Sequence, residues 1–246
     1  MDQPDTVLRL VHLYPDFLGC YGQRGNAQVL SQRCRWRGVS VERVEIAIGE
    51  AIPSQADLYL LAGGDTAGVA AVAEALQNQR GLSQAAERGA VILAIGSGLQ
   101  LLGESIELPT GERIRGLGLL PLKAHPARRR RFGPVVGQPL IPIDSPLLGF
   151  EDHQMILSLP SGMQPIATLQ LGEGNGGGLR CEGLRHNGIW GTNLRGPVLA
   201  LNPSLADQLL VQLLGSVAPL RMLAIERLRE RFVRQLPAGG GAIARR

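Results

Sequence analysis

The stretch Ala94-Ile95-Gly96-Ser97-Gly98-Leu99-Gln100-Leu101-Leu102-Gly103 decides the fold. An apolar run over residues 90–95 ends in small residues, and a helical pattern of Leu99, Leu101 and Leu102 starts at once. Strand, sharp turn and helix in that order form the elbow that holds a nucleophilic side chain on strained backbone. The strained residue needs small neighbours two places to either side, because its own backbone crowds them. Position 96 meets that demand, between Ala94 and Gly98, and it is a glycine. Ser97 is the nearest hydroxyl, but Ile95 and Leu99 flank it two places away, which makes it a weak substitute nucleophile. Glycine leaves the elbow's backbone geometry open while removing the side chain. The fold can therefore outlast the chemistry.

Outward from the elbow, strands alternate with helical patterns. Residues 7–14, 39–48, 57–62 and 91–95 read as strands. Residues 26–36 have helical spacing with Gly38 as C-cap, and residues 69–77 and 82–88 form Ala-rich helical stretches. This alternation predicts an α/β fold, a mainly parallel sheet with helices on both faces. After Leu108 the texture changes. Short apolar pieces at 116–122, 135–136, 155–157, 166–169 and 188–193 read as antiparallel or mixed strands completing the same domain, with the arginines of 128–131 in a loop. Residues 203–214 read as a helix with Pro203 in its first turn and Asn202 as its cap. The predicted organisation is a domain over 1–215, a C-terminal helix over 216–238, with apolar residues from Met222 to Leu236, and a disordered tail over 239–246.

Composition narrows the function classes. With 246 residues the chain can bury a full α/β core. The net charge of +4 is concentrated in 128–131 and near the C-terminus. No aromatic platform or recognition motif accompanies these arginines, which argues against nucleic acid. Cys20, Cys34 and Cys181 are an odd number with no metal-ligand spacing, so they read as free thiols in a reducing compartment. No signal-like N-terminus and no apolar run near the ~18 residues of a membrane span is present. The expectation is a cytoplasmic protein without metal or cofactor.

Several stretches carry a family resemblance. The elbow resembles the Ala-Ile-Cys-Gly-Gly-Tyr-Gln-Leu-Leu-Gly of class I glutamine amidotransferases of the cobyric-acid-synthase (CobB/CobQ) type. It resembles more closely the GatD-like glutaminase subunits, which work with a Mur-ligase-like (MurT-type) chain to amidate peptidoglycan lipid II. The family cysteine falls on Gly96 and the next glycine on Ser97. Gly191-Thr192-Asn193-Leu194-Arg195-Gly196-Pro197 resembles the family Gly-Thr-Tyr-Leu-His-Gly-Pro, so Arg195 stands where the base would be. A guanidinium is protonated at any physiological pH and cannot take the thiol's proton. Tyr21-Gly22-Gln23-Arg24-Gly25-Asn26 is similar to Tyr-Gly-Asp-Arg-Gly-Asn, with Gln23 for the aspartate. Gly63-Gly64-Asp65 stands for the Gly-Gly-Gly-Gln-Asp loop, whose backbone is implied to help form an oxyanion hole, and its Gln has no counterpart here. Gly149-Phe150-Glu151-Asp152-His153 resembles Gly-Phe-Glu-Asn-His, and Gly172-Glu173-Gly174-Asn175-Gly176-Gly177 resembles Gly-x-Gly-Asn-Asn-Gly.

The resemblance spans roughly residues 8–214 and implies a flavodoxin-like class I glutamine amidotransferase domain. It also implies substrate contacts at Arg130, which would hold the glutamine carboxylate, and at Gly64 and Gly98. With nucleophile and base both replaced, the expected function is a catalytically degenerate GatD-like subunit with a Mur-ligase-like partner. Two alternatives stay open. One is an active glutaminase using an unrecognised nucleophile, Cys20 being the only thiol in a loop bordering the pocket. The other is a non-enzymatic binding module for a small amino-acid or anionic ligand at Arg130 and Arg195, with open space beside Gly96 where the thiol would be.

Overall fold

A computed structural model describes residues 7–160 and 162–236. The first half builds β1 (Val7–Leu13), α1 (Gly25–Arg35), β2 (Ser40–Ile46), β3 (Leu58–Leu61), α2 (Thr66–Gln77), α3 (Gly81–Glu87), β4 (Val91–Ile95) and α4 (Ser97–Leu102). The second half adds β5 (Ser105–Glu107), β6 (Arg113–Arg115), β7 (Lys123–Pro139), β8 (Leu147–Ser158), β9 (Ala167–Leu171), β10 (Cys181–Glu182), β11 (Leu184–His186) and β12 (Ile189–Thr192). Three helices close the described chain: α5 (Val198–Leu201), α6 (Pro203–Leu214) and α7 (Leu223–Arg234).

The first sheet has the order β11-β12-β4-β3-β1-β2. From β12 to β2 all neighbours run parallel, and β11 is an antiparallel edge. Alternating residues send side chains to opposite faces. Leu8, Leu10, Leu58, Leu60, Val91 and Leu93 pack against Ala27, Leu30 and Cys34 of α1 and Leu205, Leu209 and Leu210 of α6. Val11, Leu13, Tyr59, Leu61, Ile92 and Ala94 face Val69, Val72 and Leu76 of α2 and Leu82 of α3. Both faces are covered, which is why β3 and β4 are apolar at every position. The carboxyl ends of β1, β3, β4 and β12 gather at one rim, where the order reverses around β1. Ligands bind at such a rim in open parallel sheets.

The second half departs from the sequence reading in three places. Residues 116–122 form no strand. The arginines of 128–131 lie within β7, a 17-residue strand paired antiparallel with β8, rather than in a loop. The pairing slips between Pro126 and Arg131, which lets Arg128 and Arg129 face solvent without a strict alternation. Strands β5 to β10 thereby make a second sheet of order β10-β9-β7-β5-β6 with β8 on β7. Asn202 makes no side-chain cap to α6. It donates instead to the carbonyls of Leu148 and Val198 and accepts from the Leu148 N–H. The predicted C-terminal helix is α7, and residues 239–246, read as a tail, lie outside the described residues. Among the described residues no helix is long and apolar enough to cross a membrane.

Candidate functional site

Gly96 adopts φ 56° and ψ −119° between β4 and α4. That is the sharp elbow foreseen in the sequence, and a side-chain-bearing residue there would pay about 1–3 kcal/mol of strain. The Gly96 N–H donates to the Thr192 carbonyl at 2.7 Å, which ties the elbow to the end of β12. Gly98 is required by packing, because a Cβ there would strike the Leu61 and Ala62 carbonyls at the end of β3. A Cβ on Gly96 would run into Nη1 of Arg195, with Cζ at 2.9 Å. The space beside Gly96 is therefore not open, as one sequence reading had it. The guanidinium fills it.

The backbone delivers Arg195 to that spot. Its N–H donates to the Phe150 carbonyl at 2.8 Å, and Leu194 bridges Glu151 of β8. Just before it, the Thr192 hydroxyl and the Asn193 N–H donate to the fully buried Glu182 carboxyl at 2.6 and 2.7 Å. Burial pushes that carboxyl above the usual range, against these two donors. The Arg195 side chain donates from Nε to the Asp152 carbonyl at 3.0 Å and lies under the Tyr21 ring, 5.7 Å from its centroid. Burial lowers its pKa, opposed by the nearby Tyr21 and Asp152.

The neighbouring backbone donors are already engaged. The Gly64 N–H donates to Ser97 Oγ at 2.9 Å, and that hydroxyl donates back to the Gly64 carbonyl at 3.2 Å. The Gly63 N–H donates to Gln23 Oε1 at 2.6 Å. A Cβ on Gly64 would strike the Phe17 carbonyl, so that glycine marks a close approach of the loop after β1. Ser97 thus acts as a pin between α4 and the β3 loop. Two N–H groups that could face a ligand are turned to side chains of the chain itself.

Arg130 forms a two-pronged pair with Asp152, at 2.6 and 2.8 Å, while its side chain stays 63% exposed. The pair raises the arginine's pKa and lowers that of the carboxyl. The Tyr21 hydroxyl donates to the same carboxylate at 2.6 Å, which raises its own pKa. The guanidinium fork assigned to a substrate carboxylate is thus occupied by Asp152. Beneath it, Glu151 accepts from the N–H groups of Glu173 and Gly174 and lies 3.8 Å from His153. Burial works against its ionisation, but His153 and the two backbone donors outweigh it, and its pKa falls. Asn175 exchanges two hydrogen bonds with Gly183. These two motifs fasten the 172–177 loop to β8 and to the turn after β10.

Cys20 is exposed in a 3-10 turn (Cys20–Gly22). Tyr21 in that turn has φ 64°. Sequence reasoning missed Tyr21, Asp152 and Gln23 as members of the site. A signal for two of them was present: Asp152 stands for a family asparagine and Gln23 for a family aspartate, both near the position where a cation replaces the base. Among the described residues no cluster of three His, Cys, Asp or Glu side chains could hold a metal ion.

With the geometry in place, comparison with known proteins gives a consistent result. Residues 9–203 match the CobB/CobQ-like glutamine amidotransferase domain. The chain is 31% identical to the "Lipid II isoglutaminyl synthase (glutamine-hydrolyzing) subunit GatD" of Staphylococcus aureus, covering 82% of this chain and 83% of that one. It is 27% identical to the GatD subunit of the same name from Streptococcus pneumoniae, covering 82% and 78%. Among solved structures it is similar to the glutaminase domain of Trypanosoma brucei CTPS, at TM-score 0.57 and 9% identity, covering 86% and 96%. A glutamine amidotransferase from Thermotoga maritima gives TM-score 0.51 at 11% identity, covering 96% and 90%. These two likenesses speak for the fold.

Proposed function

The chain belongs to the CobB/CobQ-like glutamine amidotransferase family, and we propose that within it this protein is a non-hydrolysing, GatD-like subunit. It would serve lipid II amidation in company with a Mur-ligase-like (MurT-type) chain. One observation carries the reading: at the tip of a formed elbow Gly96 offers no nucleophile, and the Arg195 guanidinium fills the volume where one would stand. Glutamine hydrolysis on this scaffold needs a thiolate and a base to generate it. Such groups act as a unit, so losing either removes most of the rate. The engaged N–H groups of Gly63 and Gly64 support the same reading, because an oxyanion needs donors aimed at it. The assignment to lipid II and to a partner chain draws on the names of the two GatD relatives.

The test is glutamate and ammonia release from glutamine by the purified chain, alone and co-expressed with the Mur-ligase-like chain. The expected outcome is a stable complex with release at the buffer blank in both cases. Release that disappears in Cys20→Ala or Ser97→Ala would overturn the reading.

A further inference from the structure

Residues 216–246 carry seven arginines against two glutamates, a net +5 on a chain whose total is +4. Helix α7 sets part of that charge in a stripe. Residues three and four apart are neighbours on a helix, so Arg227, Arg231 and Arg234 share one crest, and all three are exposed. Among the described residues Arg227 and Arg231 have no carboxylate within ion-pair distance, and Arg234 has Glu230 at 3.7 Å, itself exposed. The helix is held from behind, where Arg229 donates to the carbonyls of Leu201 and Pro146 and where Ile225, Phe232 and Val233 are half-buried. The two flanks of the stripe differ. Glu226 and Glu230 lie on one, beside Pro146 and Leu148. On the other stands Leu228, 46% exposed and one turn on from Ile225. Ile225 lines an apolar groove of about 460 Å³ between α1, α5 and the start of α7, with Val29, Trp36, Leu199, Pro203 and Met222. Trp36 is 49% exposed.

We propose that this face of α7, with the Trp36 groove beside it, docks the chain on the surface of an anionic lipid bilayer. Arg227, Arg231 and Arg234 meet lipid phosphates, while Leu228 and Trp36 enter the boundary with the acyl chains. Arginines next to exposed apolar groups, along a helix lying flat against the fold, are the make-up of a helix that lies in the membrane plane. Long arginine stems let the charged heads stay at headgroup level while apolar neighbours sink below. Charge on one side and apolar surface on the other matches headgroup over acyl chain. A protein interface instead puts its apolar core inside a polar rim. A nucleic acid would need aromatic rings along the stripe to stack on, and the one ring of α7, Phe232, is on the inner side. The inference is independent of the non-hydrolytic reading of the elbow.

The experiment is sedimentation of the full chain with vesicles of phosphatidylcholine alone, and of phosphatidylcholine and phosphatidylglycerol in equal parts, read together with tryptophan emission. The chain should pellet with the mixed vesicles and stay in solution with the neutral ones, and high salt should release it. A surface arginine is worth about fivefold in partition, so Arg227→Gln, Arg231→Gln and Arg234→Gln together should weaken binding about 100-fold. Emission locates the contact without any variant. Of the two tryptophans, Trp190 is 2% exposed with its Nε1 on Gln212, so a blue shift on mixed vesicles reports Trp36 leaving water. Equal binding to both vesicles, or full binding by the triple variant, overturns the proposal. Binding with Trp36 emission unmoved also overturns it and moves the contact to the exposed Arg128 and Arg129. Capture of polyglutamate or transfer RNA in place of vesicles gives the stripe to an acidic macromolecule and is equally fatal.

Discussion

At the scale of single residues, Gly96 and Arg195 are coupled in a way that stability can read. Ala at 96 would face the backbone strain of a positive φ and the guanidinium in its Cβ volume. Gly96→Ala should cost about 2–4 kcal/mol, of which roughly 1–3 is strain. In an Arg195→Ala background only the strain remains, so a double-mutant cycle should give a coupling of about 1–2 kcal/mol. Strict additivity in urea unfolding would mean that the guanidinium does not occupy that volume. His12 supplies a second reading at this scale. It is 2% exposed, and burial drives its pKa down from 6.5 to about 4, helped by Arg24 and Arg43 and opposed by Glu45. The unfolded chain therefore binds a proton that the fold refuses. The stability His12 holds is complete above pH 6.5 and is lost as pH falls from there through about 4. The loss amounts to about 3 kcal/mol. His12→Leu should flatten the acid limb of the stability curve in that window, as followed by urea titrations at stepped pH.

Between elements, polar side chains fix the chain where the sequence pattern is silent. The motifs 149–153 and 172–177 carry the family pattern, and in the structure their Glu151 and Asn175 are fasteners that set the rim beneath the elbow. Asn202 shows why such roles escape a sequence reading. A residue just before Pro203 looks like a helix cap, and only the long-range position of Leu148 reveals that its carboxamide pins the start of β8 to α5. The two roles make opposite predictions. Asp is as good a cap as Asn, so a cap would tolerate Asn202→Asp. A buried pin loses two donated hydrogen bonds and gains a carboxylate facing the carbonyls of Leu148 and Val198, a charge that Arg229 Nη1, 3.2 Å from Oδ1, offsets only in part. Asn202→Asp should therefore cost about 3 kcal/mol or more in chemical denaturation, well beyond Asn202→Ala at about 1–3 kcal/mol. Near-neutral behaviour of the aspartate would restore the cap.

For the whole molecule, the parallel sheet was legible because its strands are short, apolar and spaced by helical periods. The elbow was legible because small residues flank one position. The second sheet was not, since β7 carries four consecutive arginines and slips its register at Pro126, so no alternation marks it. Charge distribution was legible in part and has a structural counterpart. Residues 216–246 hold seven arginines and two glutamates, a net +5, so the rest of the chain, set against a total of +4, is at −1. Within this segment α7 has no buried residue. Polar bonds to backbone and sulfur hold the segment down, together with the half-buried Val217, which packs against the core. Arg229 donates to the Leu201 carbonyl, Arg37 to the Ala218 carbonyl, and Arg33 to Met222 Sδ. Arg33 and Arg37 also keep Asp207 of α6, which does not depend on α7. The family match ends at residue 203, before this segment begins. A chain ending at Gly215 should thus keep its sheets and both cores. It should melt in one cooperative transition, lowered by about 2–8 °C for the roughly 1–2 kcal/mol of contacts removed. Its charge should reverse, so that it passes through a cation exchanger at pH 7 that retains the full chain. Calorimetry and chromatography on the two chains decide the matter. A lost or broadened transition would make α7 part of the folding unit, and a retained basic character would place the excess charge elsewhere on the fold.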